Sequence, residues 1–537
     1  MATSVSDWQS RAAEKRLRCE EAIPKAWKLP ADVLEQLQKP LESSKNNLIA
    51  LDIPRRSGIL TEKELQITET FDVSTLLKKL AAGDLSALEV TVAFSKRAAI
   101  AQQVTCCLTE TFFEEAQERA RRLDERRERG EPLGPLHGLP ISLKDPFQVI
   151  GTQATIGLVA YLDRISTTNA ALVDILLELG AVLYVKTNVP QTMMTADSHN
   201  YVFGRTLNPW NTMLGAGGSS GGEGALVAFR GSPLGVGTDI AGSIRIPALC
   251  CGTYGFKPTA SRIPYGGQQG CANPEACGIF VKAVIDAQPA LYDSTALDIP
   301  WRSVEIAPKT KLRFGVLAED SVFPLHPPVK KALAEAVQRL REQGHEIVQL
   351  LPEEGQVAEA TKVSWRLFGL DNTASRVVAS GGEPPIPSRL AIDSQVESLG
   401  WMADPAYNAL DGLGKLAASN LARAAIIDSW RKVWGQHKID AVIAPSAQNT
   451  AVEHDAYGLP PYTNFVNLLD YPSCVIPYMK ASDVPSSELF EVKPGQVAPP
   501  YNPEVLNDAP CSVQVFTSRM RDEECLAVAK IVVDCLK

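Results

Sequence analysis

Residues 215–247 read GAGGSSGGEGALVAFRGSPLGVGTDIAGSIRIP. Ser219 and Ser220 stand between two glycine clusters, and Ser243 follows in an Asp-Ile-Ala-Gly-Ser-Ile-Arg run. Glycines let a backbone turn tightly and approach a ligand closely. A serine set in such a turn can serve as nucleophile, proton relay or anion ligand. A serine nucleophile needs a base to take its proton. The six histidines are His137, His199, His326, His345, His437 and His454. None lies in a recognisable triad motif, so a Ser-His-Asp arrangement has little support and the serines need another base.

Other chemistries compete for the same residues. Gly218-Ser219-Ser220-Gly221-Gly222 satisfies G-x-S-x-G with Ser220 at its centre, the pattern of the nucleophile elbow. Glycine density makes that match weak, and it leaves the Ser243 run without a role. A phosphate-cradling G-x-x-x-x-G-K-[ST] loop is absent, as is metal-ligand spacing. No cofactor is implied.

Further segments share a pattern with this one. They are HGLPISLKDPF (137–147), KTNVPQTMM (186–194), NPWN (208–211), GFKPTASRIPYGG (255–267) and NLLDYPSCVIP (467–477). In this order they resemble the amidase signature family of serine hydrolases, most of all its fungal acetamidase-type members. The similarity covers most of residues 60–480. It implies an amidase that converts a carboxamide to a carboxylate plus ammonia or an amine. Ser243 matches the acyl-accepting nucleophile, Ser219 the bridging serine and Lys144 the base. In relatives a cis peptide precedes the bridging serine, here Gly218–Ser219. An ammonium has only donors, so the relay requires a neutral lysine, which burial in an apolar strand favours. The backbone amides of Ile240, Ala241, Gly242 and Ser243 match the oxyanion hole. Ala241 replaces a common glycine, and keeps its donor if its φ is negative. Met193 matches a residue lining the acyl pocket. Asp239 and Arg245 are expected to hold the loop by a charge-assisted hydrogen bond, and Ser220 to support Lys144 or the turn.

The elements that must position these residues follow from pattern. Ser86 and Glu89 form a capping box ahead of helically spaced Val90, Ala93 and Phe94. The charge-rich run 114–129 interleaves acids and bases, as a solvated helix face does. From about residue 137, strands (139–145, 181–187, 312–318, 346–351, 439–445) alternate with helices (170–179, 329–343, and 522–537 at the end). The alternation predicts an α/β protein with a large, mixed, mostly parallel sheet covered by helices. Residues 1–130 read as a helical N-terminal region packed on a catalytic domain, 131–537, with a variable helical insert at about 351–435. That insert and a Pro/Ser/Asp-rich excursion at 481–510 are expected to shape the pocket.

Bulk properties set the remaining expectations. A net charge of −9 over 537 residues argues against a nucleic-acid partner. No apolar run reaches the ~20 residues of a membrane span, and the polar N-terminus lacks a signal-peptide apolar region. With eleven cysteines and no CxxC pair, reduced thiols in a cytoplasmic protein are expected. The partner is a small-molecule amide, and a homodimer is left open.

One departure stands out. Relatives usually carry a strand and helix after the YGGQQG segment, whereas CANPEACG (271–278) here runs almost straight into IFVKAVIDAQPALYD. About twenty family residues are expected to be missing, judged by βα-unit length. Three alternatives stay open: a catalytically impaired amidase-like protein lacking part of its core after Gly278, an α/β-hydrolase-like esterase using Ser220, and an aminoacyl-tRNA amidotransferase subunit.

Overall fold

The computed structural model describes residues 7–268, 277–278, 281–307, 310–485 and 487–537. The junction at 271–280, where family residues are expected to be missing, lies outside them except for Cys277–Gly278.

The strands fall into two ladders and a short hairpin. In chain order, β1 (Leu108–Thr111), β2 (Pro140–Lys144) and β3 (Val182–Thr187) precede the hairpin strands β4 (His199–Asn200) and β5 (Gly204–Arg205). Then come β6 (Gly235–Thr238), β7 (Gly255–Lys257), β8 (Cys277–Gly278), β9 (Arg313–Val316) and β10 (Glu346–Gln349). The last three are β11 (Ala441–Pro445), β12 (Ser473–Lys480) and β13 (Pro510–Phe516). One ladder has the order β1-β3-β2-β6-β8, the other β10-β9-β11-β13-β12-β7. The expected mixed α/β architecture is present. Parallel pairing joins β3, β2 and β6 in the first ladder and β10, β9 and β11 in the second, and the other ladder pairs run antiparallel.

β2 carries the first functional side chain. Alternation along a strand sends neighbours to opposite faces, and Ser142 and Lys144 share one face. The helix Gly221–Ala228 covers that face, so Ser142 Oγ donates to Glu223 Oε2 (2.6 Å) and Lys144 meets Ser219. Asp145 turns the other way and accepts from Thr109 Oγ1 (2.7 Å) and the Ile156 amide (2.6 Å). It therefore anchors the end of β2 rather than pairing with Lys144. The helix approaches the sheet closely because Gly222 has no side chain: a Cβ there would stand 2.3 Å from Asn188 N and 2.5 Å from Cys107 O.

The N-terminal region is mostly helical, as expected, and Ser86 and Glu89 cap the helix Ala87–Thr105 reciprocally. It also contributes β1, which pairs with β3. One hydrophobic cluster takes in Leu76, Leu80 and Phe94 from this region together with Leu143 and Val185 from the first ladder. The insert holds six helices between Pro352 and His437. The excursion after β12 packs around buried His326, whose ring lies against Phe490 and Tyr501 and whose Nε2 contacts Pro499 O. Among the described residues no helix is long and apolar enough to cross a membrane.

Candidate active site

Three segments converge at the C-terminal ends of β2 and β6. Lys144 Nζ donates to Ser219 Oγ (2.6 Å) and to Thr238 Oγ1, and both Lys144 and Ser219 are fully buried. The Gly218–Ser219 peptide is cis. The Ser220 amide donates to Ser243 O (3.1 Å), tying the glycine-rich turn to the second serine loop. Ser220 Oγ meets the Thr238 backbone. Thr238 was missed by sequence reasoning. Its place at the end of β6, just before Asp239, is the signal that could have flagged it.

The loop carrying Ser243 is built around one ion pair. Arg245 donates to Asp239 through Nε (3.0 Å, Oδ2) and Nη2 (3.0 Å, Oδ1), with both side chains fully buried. Asp239 also accepts from the amides of Gly242 (2.9 Å), Ile244 (3.1 Å) and Arg245 (3.3 Å), and from Asn467 Nδ2 (2.8 Å). Burial opposes its ionisation, but Arg245 and the hydrogen bonds prevail and hold its carboxyl at about 2. The carboxylate thus takes up the Gly242 amide, so that amide is not an open donor as the sequence led one to expect. The amides of Ile240, Ala241 and Ser243 have no protein acceptor among the described residues. Ala241 does not adopt a positive φ, so it keeps its donor without strain. Gly242 has φ +131°, and a Cβ there would lie 2.2 Å from Thr463 Oγ1.

A buried carboxyl lies beneath this cluster. Glu223 is bonded to the Ser142 and Thr187 hydroxyls, and burial raises it to about 7 against the opposing pull of Lys144.

Ser243, Ile240, Ala241 and Gly218 open onto a small chamber of about 30 Å³, walled by Met193, Met194, Trp365, Phe368 and Ile392 among others. Those five side chains and Ile240 also line an outer compartment of about 350 Å³. Met193 therefore stands on the wall of the chamber that Ser243 faces. Its backbone is unusual: Thr192 (φ +66°) and Met193 (φ +61°) are consecutive left-handed residues, each costing about 1–3 kcal/mol unless over-determined. The neighbours hold them. The Thr192 amide donates to Ile156 O (3.1 Å), Gln191 Nε2 donates to Glu383 Oε2 (3.0 Å), and Ser388 Oγ donates to Thr195 Oγ1 (3.3 Å). Glu383, which also accepts from the Val159 amide (2.8 Å), is raised to about 7 by burial. No residue of the 481–510 excursion lines either compartment among the described residues, so only one of the two expected segments shapes the pocket. A separate cavity of about 600 Å³ lies behind the loop, between Ser220, Gly237 and Ile244 on one side and Leu526, Ala529 and Val533 on the other. Neither Ser219 nor Ser243 lines it.

No histidine reaches these serines among the described residues. His199 pairs with Arg205, His437 with Glu354, His454 with Thr212 O and His345 with the Leu312 amide.

A family model described as Amidase matches residues 89–526. The chain is 40% identical to an amidase of Gibberella moniliformis, over 99% of both chains, and 36% identical to an acetamidase of Emericella nidulans, over 98% of this chain and 97% of that one. A solved fatty acid amide hydrolase superposes with a TM-score of 0.87 at 30% identity, covering 99% of this chain and 95% of that one. A bacterial aryl acylamidase shares the fold at 22% identity, with a TM-score of 0.66 over 87% and 96%. The chain belongs to the amidase signature family. It is an amide hydrolase. The alignment to the first relative runs over 556 residues, more than the 537 of this chain, so that relative carries residues with no counterpart here.

Proposed function

We propose that the protein hydrolyses a carboxamide through an acyl-enzyme on Ser243, with Ser219 and Lys144 as its proton relay. The observation that carries this reading is the fully buried 2.6 Å contact of Lys144 Nζ with Ser219 Oγ, beside a serine loop that opens onto a chamber. Ser243 Oγ bonds to the carbonyl carbon while its proton passes to Ser219, whose own proton passes to the neutral amine of Lys144. The oxyanion is met by the amides of Ile240, Ala241 and Ser243. Gly242 and the Asp239–Arg245 pair hold those amides in place. The proton returns along the same path to the leaving nitrogen as the C–N bond breaks, and water then releases the acid. Residues 1–130 and 131–537 act in this reading as one body, since the main core cluster crosses residue 130 without a break. The likeness to relatives named acetamidase supports small aliphatic or aromatic amides as the substrates of this chain.

The test is labelling by a small fluorophosphonate, with peptide mapping, in wild type, Ser243→Ala and Lys144→Ala. An adduct on Ser243, absent from Ser243→Ala and much slowed in Lys144→Ala, is expected. An adduct on Ser220 would instead favour the elbow reading, and no adduct on a cooperatively melting protein would favour an impaired relative.

A further inference from the structure

Gln191 and Glu383 stand 192 positions apart in the chain, and both are buried. Gln191 Nε2 donates to Glu383 Oε2 (3.0 Å) and to Pro384 O (3.0 Å), and Gln191 Oε1 accepts from the Ile386 amide (3.2 Å). Both donors of the carboxamide are thereby used, along with its acceptor. The other Glu383 oxygen accepts from the Val159 amide (2.8 Å), and the Thr192 amide donates to Ile156 O (3.1 Å). Residues 156–159, 191–192 and 383–386 are thus joined in a closed circuit of hydrogen bonds.

Residue types explain why the circuit closes here. In the run Glu383-Pro384-Pro385-Ile386-Pro387 three residues are proline and have no N–H. Ile386 supplies the only amide donor from 384 to 387, and Gln191 takes it. A carboxamide can read a carbonyl and an amide two residues apart at once, whereas a carboxylate lacks the donors and an aliphatic side chain lacks both kinds of group. Ile386 directly precedes the helix Pro387–Ser398, which carries Ile392 to the chamber wall. Gln191 directly precedes the left-handed pair Thr192 and Met193, and Met193, Met194, Thr195 and Ala196 belong to the same wall. That stretch also abuts the turn before Ser219: a Cβ on Gly218 would lie 2.4 Å from Thr195 O.

Resting on the assignment of Ser243 as nucleophile, we propose that Gln191 and Glu383 are positioning residues for the amide hydrolysis. Neither walls the chamber among the described residues. They act through residues 192–196, whose place relative to Ile392 and Ser243 they set, and so they fix the hold of the chamber on a bound amide. Lys144 is carried by β2, and the two serine loops are tied by the Ser220 amide on Ser243 O (3.1 Å). Opening the circuit therefore weakens the hold on substrate and spares the relay.

Steady-state kinetics by ammonia release, with acetamide, butanamide and benzamide, test this in Gln191→Leu, Glu383→Leu and the double variant. For every amide that wild type turns over, each single variant should raise KM about tenfold or more, while kcat stays within about threefold and its pH profile keeps its position. Because both residues serve one circuit, the double variant should be no worse than the poorer single one. Gln191→Asn, which draws the same carboxamide back by one methylene, takes the place of leucine if that variant does not fold. Calorimetric binding of the same amides to Ser243→Ala, with and without the change at Gln191, reads the wall without the chemistry, and affinity should fall to a similar extent. An unchanged KM and affinity in variants that unfold cooperatively overturns the proposal. So do single effects that multiply in the double variant, and so does a fall in kcat with a displaced pH profile, which would put the circuit in the relay. Turnover undiminished by Ser243→Ala overturns the nucleophile assignment instead, and the calorimetric loss then still upholds the positioning role.

Discussion

The serine loop at 215–247 and the helical insert at 352–437 both border the chamber in front of Ser243, yet they do so by different means. The loop is fixed by residue type. Gly222 and Gly242 stand where any Cβ would strike a neighbour, and Asp239 and Arg245 satisfy each other inside the protein. The insert is fixed by shape. Trp365, Phe368 and Ile392 need only fill space, and other apolar side chains of similar volume would serve the fold as well. In the reading proposed above, the nucleophile and the bridging serine lie in the first region, while the second lends side chains that wall the chamber, so substitutions in the two should fail in different ways.

The largest effects belong to the loop. Ser243→Ala should cut kcat on the order of 10⁴-fold or more while the melting temperature stays near that of wild type, which steady-state kinetics and calorimetry check together. Near-normal turnover in this variant would move the nucleophile elsewhere. Arg245→Ala leaves Asp239 as a buried, unpaired carboxylate, a loss of about 3–5 kcal/mol. Chemical denaturation should show that loss directly, and an unchanged midpoint would remove the ion pair from the account of the loop. Gly242→Ala forces a side chain into a left-handed position against Thr463, costing roughly 1–3 kcal/mol in backbone strain alone. Because the distortion reaches the flanking amides, kcat should fall more than KM rises.

The insert yields a subtler effect. Burial raises the Glu383 carboxyl from an ordinary 4.5 to about 7. Its contribution to stability is fully present below about 4.5 and is lost progressively as pH rises to about 7, where the folded protein must hold a buried carboxylate. Glu383→Gln should therefore flatten part of the decline in melting temperature over this window and change little at pH 4.5. Glu223 has the same sign and nearly the same window, so the slope should be halved rather than abolished. The smallest effect marks the baseline: Leu413→Ser, in the exposed first turn of the helix Gly412–His437 (74% accessible), should alter stability by no more than about 0.5 kcal/mol.

These contrasts also explain which features are legible in the sequence. The capping box at Ser86, the strand carrying Lys144 and the closing helix at 522–536 follow from periodicity and caps, which are local. Lys144, Ser219 and Ser243, the residues proposed as the relay, stood out because their segments resemble a known family. Thr238 was not legible, since its contact with Lys144 joins the ends of two strands that only the sheet brings together. That the Gly242 amide meets Asp239 was not legible for a related reason. Which donor in a tight loop a carboxylate captures depends on the direction of each N–H, and that direction is a property of φ and ψ rather than of residue type. The lining residues Trp365 and Phe368 were invisible because a core aromatic and a pocket aromatic look alike in one dimension.

The paired left-handed residues Thr192 and Met193 carry a consequence for how such an enzyme diversifies. Their backbone is held by Ile156, by Gln191 through Glu383 and by the Ser388–Thr195 contact, none of which involves the Met193 side chain. The backbone is held apart from the Met193 side chain, which packs with Ile156, Leu158 and Val189 while lining the chamber. An apolar side chain of similar volume at 193, such as leucine, would keep its place on the wall of the chamber that Ser243 borders without asking the loop to refold. New substrates can then be explored one side chain at a time, while the conformation that presents them is inherited unchanged.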